Sequence, residues 1–133
     1  MKVEGSCHCG AIVYEAVVLP QQAGLCHCSD CQTLSGSPFR ASVPAKAQDF
    51  HLLQGRPKTY IKIAESGAKR VQAFCENCGT PIYATSADNP QYYNLRLGAV
   101  KQRGQIPALK QIWCDSALPW AQNISGLPAA GKG

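Results

Sequence analysis

Apolar residues along the 133-residue chain fall in short runs separated by Gly or Pro every few positions. No stretch of about a dozen residues free of both carries the 3.6-residue apolar period of an amphipathic helix. The runs Ala11–Val18, Phe39–Val43, Phe50–Leu53, Thr59–Ile63, Arg70–Phe74, Pro81–Thr85, Tyr92–Leu97 and Leu109–Trp113 are rich in β-branched and aromatic residues and predict strands. Two of them alternate: Ile61 and Ile63 against Tyr60 and Lys62, and Tyr93, Leu95 and Leu97 against Tyr92, Asn94 and Arg96. That period of two predicts one buried face for each. Ala64–Ala68 reads as a hairpin connection, and the only helical prospect is one or two turns over residues 29–34 with Ser29 as cap. The pattern predicts an all-β fold, mainly antiparallel, in one domain over residues 1–125, followed by a mobile Gly/Ala/Pro/Lys tail at 126–133.

Composition narrows the class. Hydrophobic residues make up 45% and charged residues 16%, which excludes a disordered chain. The longest apolar run, Ala11–Leu19, is interrupted by Tyr14 and Glu15 and stopped at Pro20, well short of the roughly 18 residues a membrane span needs. Met1–Gly5 has no apolar signal core behind Lys2, so the expectation is a cytoplasmic protein with no membrane partner.

The eight cysteines are clustered as Cys7/Cys9, Cys26/Cys28/Cys31 and Cys75/Cys78, with Cys114 alone. Without an export signal, clustered thiols point to metal before disulfides. A Cys-x-x-Cys-Gly turn, Cys75 to Gly79, aims two sulfurs at one ion, and the glycine relieves the backbone where it reverses. Cys7 and Cys9, followed by Gly10, provide the second pair of a closed four-sulfur site of structural type. A redox reading of Cys75 and Cys78 needs a βαβ context, which the pattern lacks. Cys26, Cys28 and Cys31 are three sulfurs in six residues. They leave a tetrahedral zinc one ligand short, as in catalytic sites, unless His27, His8, Cys114 or another side chain completes it. Asp30 serves equally well as a loop cap or as support behind a metal ligand. The formal charge of +5 falls to about +2 once seven thiols are counted as thiolates on two zinc ions, which weakens any argument for nucleic acid.

Four segments taken together, Gly5–Gly10, Cys26–Cys31, Ser35–Ala41 and Phe74–Pro81, resemble the glutathione-dependent formaldehyde-activating enzyme family. The likeness extends through Ile112-Trp113 and Pro119-Trp120. It implies a β-tent fold with two zincs per chain: a structural one on Cys7, Cys9, Cys75 and Cys78, and a catalytic one on Cys26, Cys28 and Cys31. It further implies a carbon–sulfur lyase class, with a small thiol such as glutathione and a small aldehyde such as formaldehyde as substrates. Cys114 matches no ligand of the family pattern, and its neighbours Ile112 and Trp113 suggest burial.

His27 is the nearest proton shuttle by sequence. Arg40, soon after the three-cysteine run, is the leading candidate for a substrate anion among Arg40, Lys58, Lys62, Lys69, Arg70 and Arg96. Tyr92, Tyr93 and Trp113 read as core or sheet-face residues. Two other classes remain open: a zinc-stabilised binding module, and a thiol enzyme like the B-type methionine sulfoxide reductases, which would need Cys114 exposed.

Overall fold

The protein is described by a computed structural model covering residues 1–133. Nine strands form in chain order: β1 (Lys2–Ser6), β2 (Val13–Val18), β3 (Gly24–Cys26), β4 (Arg40–Gln54), β5 (Lys58–Ile63), β6 (Lys69–Phe74), β7 (Pro81–Ser86), β8 (Tyr92–Arg96) and β9 (Lys110–Ile112). One α-helix, α1 (Ser29–Ser35), follows β3. The main sheet runs β1-β2-β4-β8-β7-β6-β5, with β3 also on β4 and β9 parallel to β3. The all-β expectation therefore holds. No helix is long and apolar enough to cross a membrane.

Phe39–Val43 and Phe50–Leu53, expected as separate strands around Pro44, fall, apart from Phe39, in the single 15-residue strand β4. Its first half pairs with β8 from Ser42 to Lys46, and its second half pairs with β2 from Phe50 to Gln54. Between them the register breaks, so one strand is shared by two leaves of the sheet. Pro44 is tolerated because its carbonyl, which accepts from Leu19, is the only backbone group it has to offer. β1 and β3 fall outside the runs that predict strands, because Lys2–Ser6 and Gly24–Cys26 are too polar or too short to stand out from the pattern.

Register decides what each face carries. Val43 and Ala45 on β4, Tyr93 and Leu95 on β8, and Tyr83 on β7 share the inner face. Tyr14, Phe50, Tyr83 and Tyr93 form an aromatic cluster there, with neighbouring ring centroids 4.8–5.3 Å apart. Arg40, Ser42, Asn94, Arg96, Ala84 and Gln72 share the opposite face. The alternation of Tyr93, Leu95 and Leu97 thus marks the core as expected. That of Ile61 and Ile63 does not: both are exposed, because β5 is an edge strand to which the buried core does not extend.

Tyr14 is fully buried opposite Gly5 in the β1–β2 ladder, and its ring fills the space where a Gly5 side chain would go. Burial without a partner for its hydroxyl pushes the Tyr14 phenol well above its ordinary value. Gly5→Ala would drive a methyl into that ring. It should cost about 1–3 kcal/mol of stability, measurable as a lower denaturant midpoint with unchanged slope; an unchanged midpoint would contradict this packing.

Candidate metal centre

The β1–β2 and β6–β7 connections are two similar knuckles. In each, a glycine in the left-handed region turns the chain and closes it on a cysteine carbonyl: Gly10 (φ 81°) donates to Cys7 at 3.1 Å, and Gly79 (φ 77°) to Cys75 at 2.8 Å. The knuckles face each other, and the sulfurs of Cys7, Cys9, Cys75 and Cys78 all lie within 4.8 Å of one another. Cys7 to Cys9 is 3.6 Å and Cys9 to Cys75 is 3.8 Å. A tetrahedral ion with bonds of about 2.3 Å needs sulfurs about 3.8 Å apart, so this donor set fits zinc. Thr80 joins the knuckles: its hydroxyl accepts from His8 N–H at 3.0 Å and lies 3.1 Å from Cys78 Sγ. That hydroxyl, with backbone N–H groups, draws the Cys78 thiol down to about 5.

Cys26, Cys28 and Cys31 form the second group, again with sulfurs within 4.8 Å. Cys26 ends β3, and Cys28 rather than Ser29 caps α1, its sulfur accepting from Cys31 N–H at 3.3 Å. Burial opposes ionisation of Cys28, yet this N–H and the thiols of Cys31 and Cys26 carry its pKa downward. Cys31 is pushed up to about 12, by burial first and then by its role as donor to those neighbours. The three sulfurs thus compete for protons, an arrangement that a cation relieves by replacing them. No histidine, carboxylate or fourth cysteine joins this group. All eight cysteines are free.

The three-cysteine group opens into a cavity of about 760 Å³ floored by the outer face of the sheet. Its walls carry Arg40, Lys62, Arg70, Arg96 and Lys110 against one carboxylate, Asp88. Lys62 is paired with Asp30 at 2.9 Å, which gives Asp30 its role: it fixes α1 to β5. Arg96 donates to Ser42 Oγ (2.9 Å) and Gln72 Oε1 (2.8 Å). Arg40 is only 6% exposed, not the solvated strand face usual for an arginine. Its position follows from register, since Arg40 stands opposite Cys26 across β3–β4.

His27 is placed differently from the shuttle expected of it. It is buried, 3% exposed, its Nε2 lies 2.8 Å from Gln111 Oε1, and its ring packs edge-on to Phe39. It does not line the cavity. In an extended segment alternate residues point to opposite sides, so Cys26 and Cys28 on one side put His27 on the other. Cys114 is exposed, contrary to the burial its neighbours suggested, and lies outside the cavity lining. Ile112 and Trp113 are themselves half-exposed, because β9 is a three-residue strand paired only with β3. Of the residues read as core or sheet-face, Tyr92 and Trp113 line the cavity and Tyr93 is in the aromatic cluster. Trp113 holds φ at 57°, and Asn89, the other non-glycine residue at positive φ, lines the same cavity. Such conformations cost about 1–3 kcal/mol and gather at ligand sites. Arg70 and Gln72 belong to the site as well, on the polar phase of β6.

A mainly antiparallel β-protein with two cysteine clusters able to hold metal ions, one of them facing a cationic cavity, defines the class. Residues 2–116 match the glutathione-dependent formaldehyde-activating enzyme family, and the chain belongs to it. An uncharacterized lyase of Schizosaccharomyces pombe is 33% identical over 94 residues, covering 68% of this chain; the match spans 64% of that protein's length. The crystal structure of a Rhodobacter sphaeroides protein, 23% identical, superposes with a TM-score of 0.61 over 81% of this chain and 97% of its own, a likeness of fold.

Binding energy at the closed cluster would be folding energy, because its ligands come from segments 66 residues apart. Cys75→Ser should therefore remove most of a total stability of about 5–15 kcal/mol, and a wild-type melting temperature would refute the structural role. With metal bound, a thiol reagent should label Cys114 alone, and chelation should expose the other seven thiols.

Proposed function

We propose that this protein is a zinc-dependent enzyme of the carbon–sulfur lyase type, adding a small glutathione-like thiol to a small aldehyde or reversing that addition. Cys7, Cys9, Cys75 and Cys78 would hold a structural zinc, and Cys26, Cys28 and Cys31 the catalytic one. The observation that carries this reading is the contrast between the clusters: four sulfurs complete one, while three face a cavity from which no fourth protein ligand reaches them. Membership of the family supports it, as does the lyase designation of the Schizosaccharomyces pombe relative. When bound, zinc at the three-cysteine site supplies positive charge that favours thiolate over thiol and polarises a carbonyl oxygen.

The addition balances without a redox partner: an S–C bond forms, the carbonyl π bond breaks, and the thiol proton ends on the carbonyl oxygen. The chain's own residues receive and orient the reactants. Arg40, at the wall of the cavity next to the cysteines, takes the anionic group of the substrate. Cations on the walls draw an anionic thiol inward, an effect that weakens with salt. His27 acts from behind the site. Its ring holds Gln111, its backbone N–H donates to Ile112 O at 3.0 Å, and its carbonyl accepts from Gln32 Nε2 at 2.8 Å. Together these bind β9 and α1 around the cysteine loop.

Cys31→Ser should yield folded protein with one zinc per chain instead of two and no acceleration of hemithioacetal formation between glutathione and an aldehyde, followed by NMR. Two retained zincs with wild-type turnover would overturn the assignment. His27→Ala should lower stability and turnover while leaving the shape of the pH–rate profile intact; loss of one limb of that profile would restore it as the shuttle.

A further inference from the structure

The cations of the cavity fall into two zones. Arg70 and Lys110 stand on its walls without a protein carboxylate, Arg70 partly exposed and Lys110 exposed. Arg40 and Arg96 are deeper, 6% and 9% exposed. They are neighbours on one face of the sheet, since Ser42, two residues on from Arg40, pairs with Arg96, and both line the cavity beside Cys26, Cys28 and Cys31. No carboxylate partners either one. Arg96 at least has Ser42 and Gln72, both neutral; Arg40 makes no side-chain hydrogen bond to the protein at all, and its Nε is fully buried without a partner.

Two buried guanidiniums side by side are strongly unfavourable unless something negative completes them. Three thiolates on one Zn²⁺ would carry a net charge of about −1, enough to offset one of the two. One positive charge remains, on planar donors suited to a carboxylate or similar oxyanion. That anion must lie close to the reacting centre, because Arg40 stands opposite Cys26 in the ladder. The carboxylates of a peptide thiol are many bonds from its sulfur, and suit Arg70 and Lys110 instead. A carboxylate attached directly to the carbonyl carbon falls where the inner pair waits.

Resting on the lyase reading above, we infer that Arg40 and Arg96 form a carboxylate receptor beside the three-cysteine site, and that the aldehyde partner is an α-carboxylated aldehyde rather than an uncharged one. The addition remains a simple one: the thiol S–H adds across the aldehyde C=O, the proton passes to the carbonyl oxygen, and the carboxylate is unchanged.

The test compares glyoxylate with acetaldehyde and formaldehyde in the zinc-loaded protein, using 2-mercaptoethanol, which has no carboxylate, and glutathione in parallel. Glyoxylate should be preferred in kcat/KM with both thiols, and the preference should fall about 10- to 100-fold in Arg96→Gln. Arg96→Lys, which keeps the charge but not the fork, should fall between the two. Glycolate, which has no electrophilic carbon, should bind the wild-type protein in calorimetry and bind Arg96→Gln at least tenfold more weakly, while metal analysis still finds two zincs. Turnover of uncharged aldehydes without preference for glyoxylate would overturn this inference and leave the lyase reading standing. A preference that follows the thiol's carboxylate, or an Arg96→Gln variant that loses zinc instead of selectivity, would also overturn it. No acceleration with any aldehyde would remove the lyase reading itself, and glycolate binding would then report on the receptor alone.

Discussion

Four sulfurs brought within 4.8 Å of one another, from knuckles separated by most of the sheet's sequence, form the constraint on which the rest depends. Thiols this close cannot all ionise without a cation between them. Closing them joins the β1–β2 turn to the β6–β7 turn, so the two leaves that share β4 are tied at a second place. With a metal there, a chain of modest size and little helix gains a fixed angle between its leaves, and the cavity beyond them gains a rigid floor.

That floor shows how one sheet serves two purposes. On the inner face Val43, Leu95 and the aromatic cluster exclude water; on the outer face, at alternate positions of the sheet's strands, Arg40, Arg96 and Gln72 line the cavity. The arrangement is costly, since it places cationic groups on the back of a dry core. Burial and the neighbouring Arg40 and Arg70 press the Arg96 pKa downward. Strain adds to this: Trp113 and Asn89, both at positive φ, stand at the same cavity. Unpaired charge and backbone strain concentrated at one place are characteristic of a ligand site rather than of a stabilising surface.

Binding and positioning are divided along the chain by alternation. Cys26 and Cys28 face the cavity; His27 between them faces Gln111 and Phe39 and ties the cysteine loop to β9. Gln32 extends the same bracket to Ser116 at 3.0 Å. The segment carrying Trp113 is thereby held against the cysteine loop by side chains that never reach the cavity.

The cysteine clusters were legible in the sequence because metal-binding turns are local: the spacing of two sulfurs and a glycine is enough to form a knuckle. The all-β class was legible for a similar reason, through period-two runs between Gly and Pro. Two readings failed where local pattern meets global placement. The Ile61/Ile63 alternation is as clear as that of Leu95 and Leu97, yet the core does not extend over the β5 edge of the sheet. Cys114, whose neighbours Ile112 and Trp113 suggest burial, is exposed with them, because the three-residue edge strand before it has no second layer to cover that segment. The arginines show the limit best. Arg40, Arg70 and Arg96 each sit on an ordinary alternating strand, and nothing in their own segments separates a solvated face from a cavity floor. Long-range register decided that, because which strands lie side by side determines whether isolated positive charges become a single site.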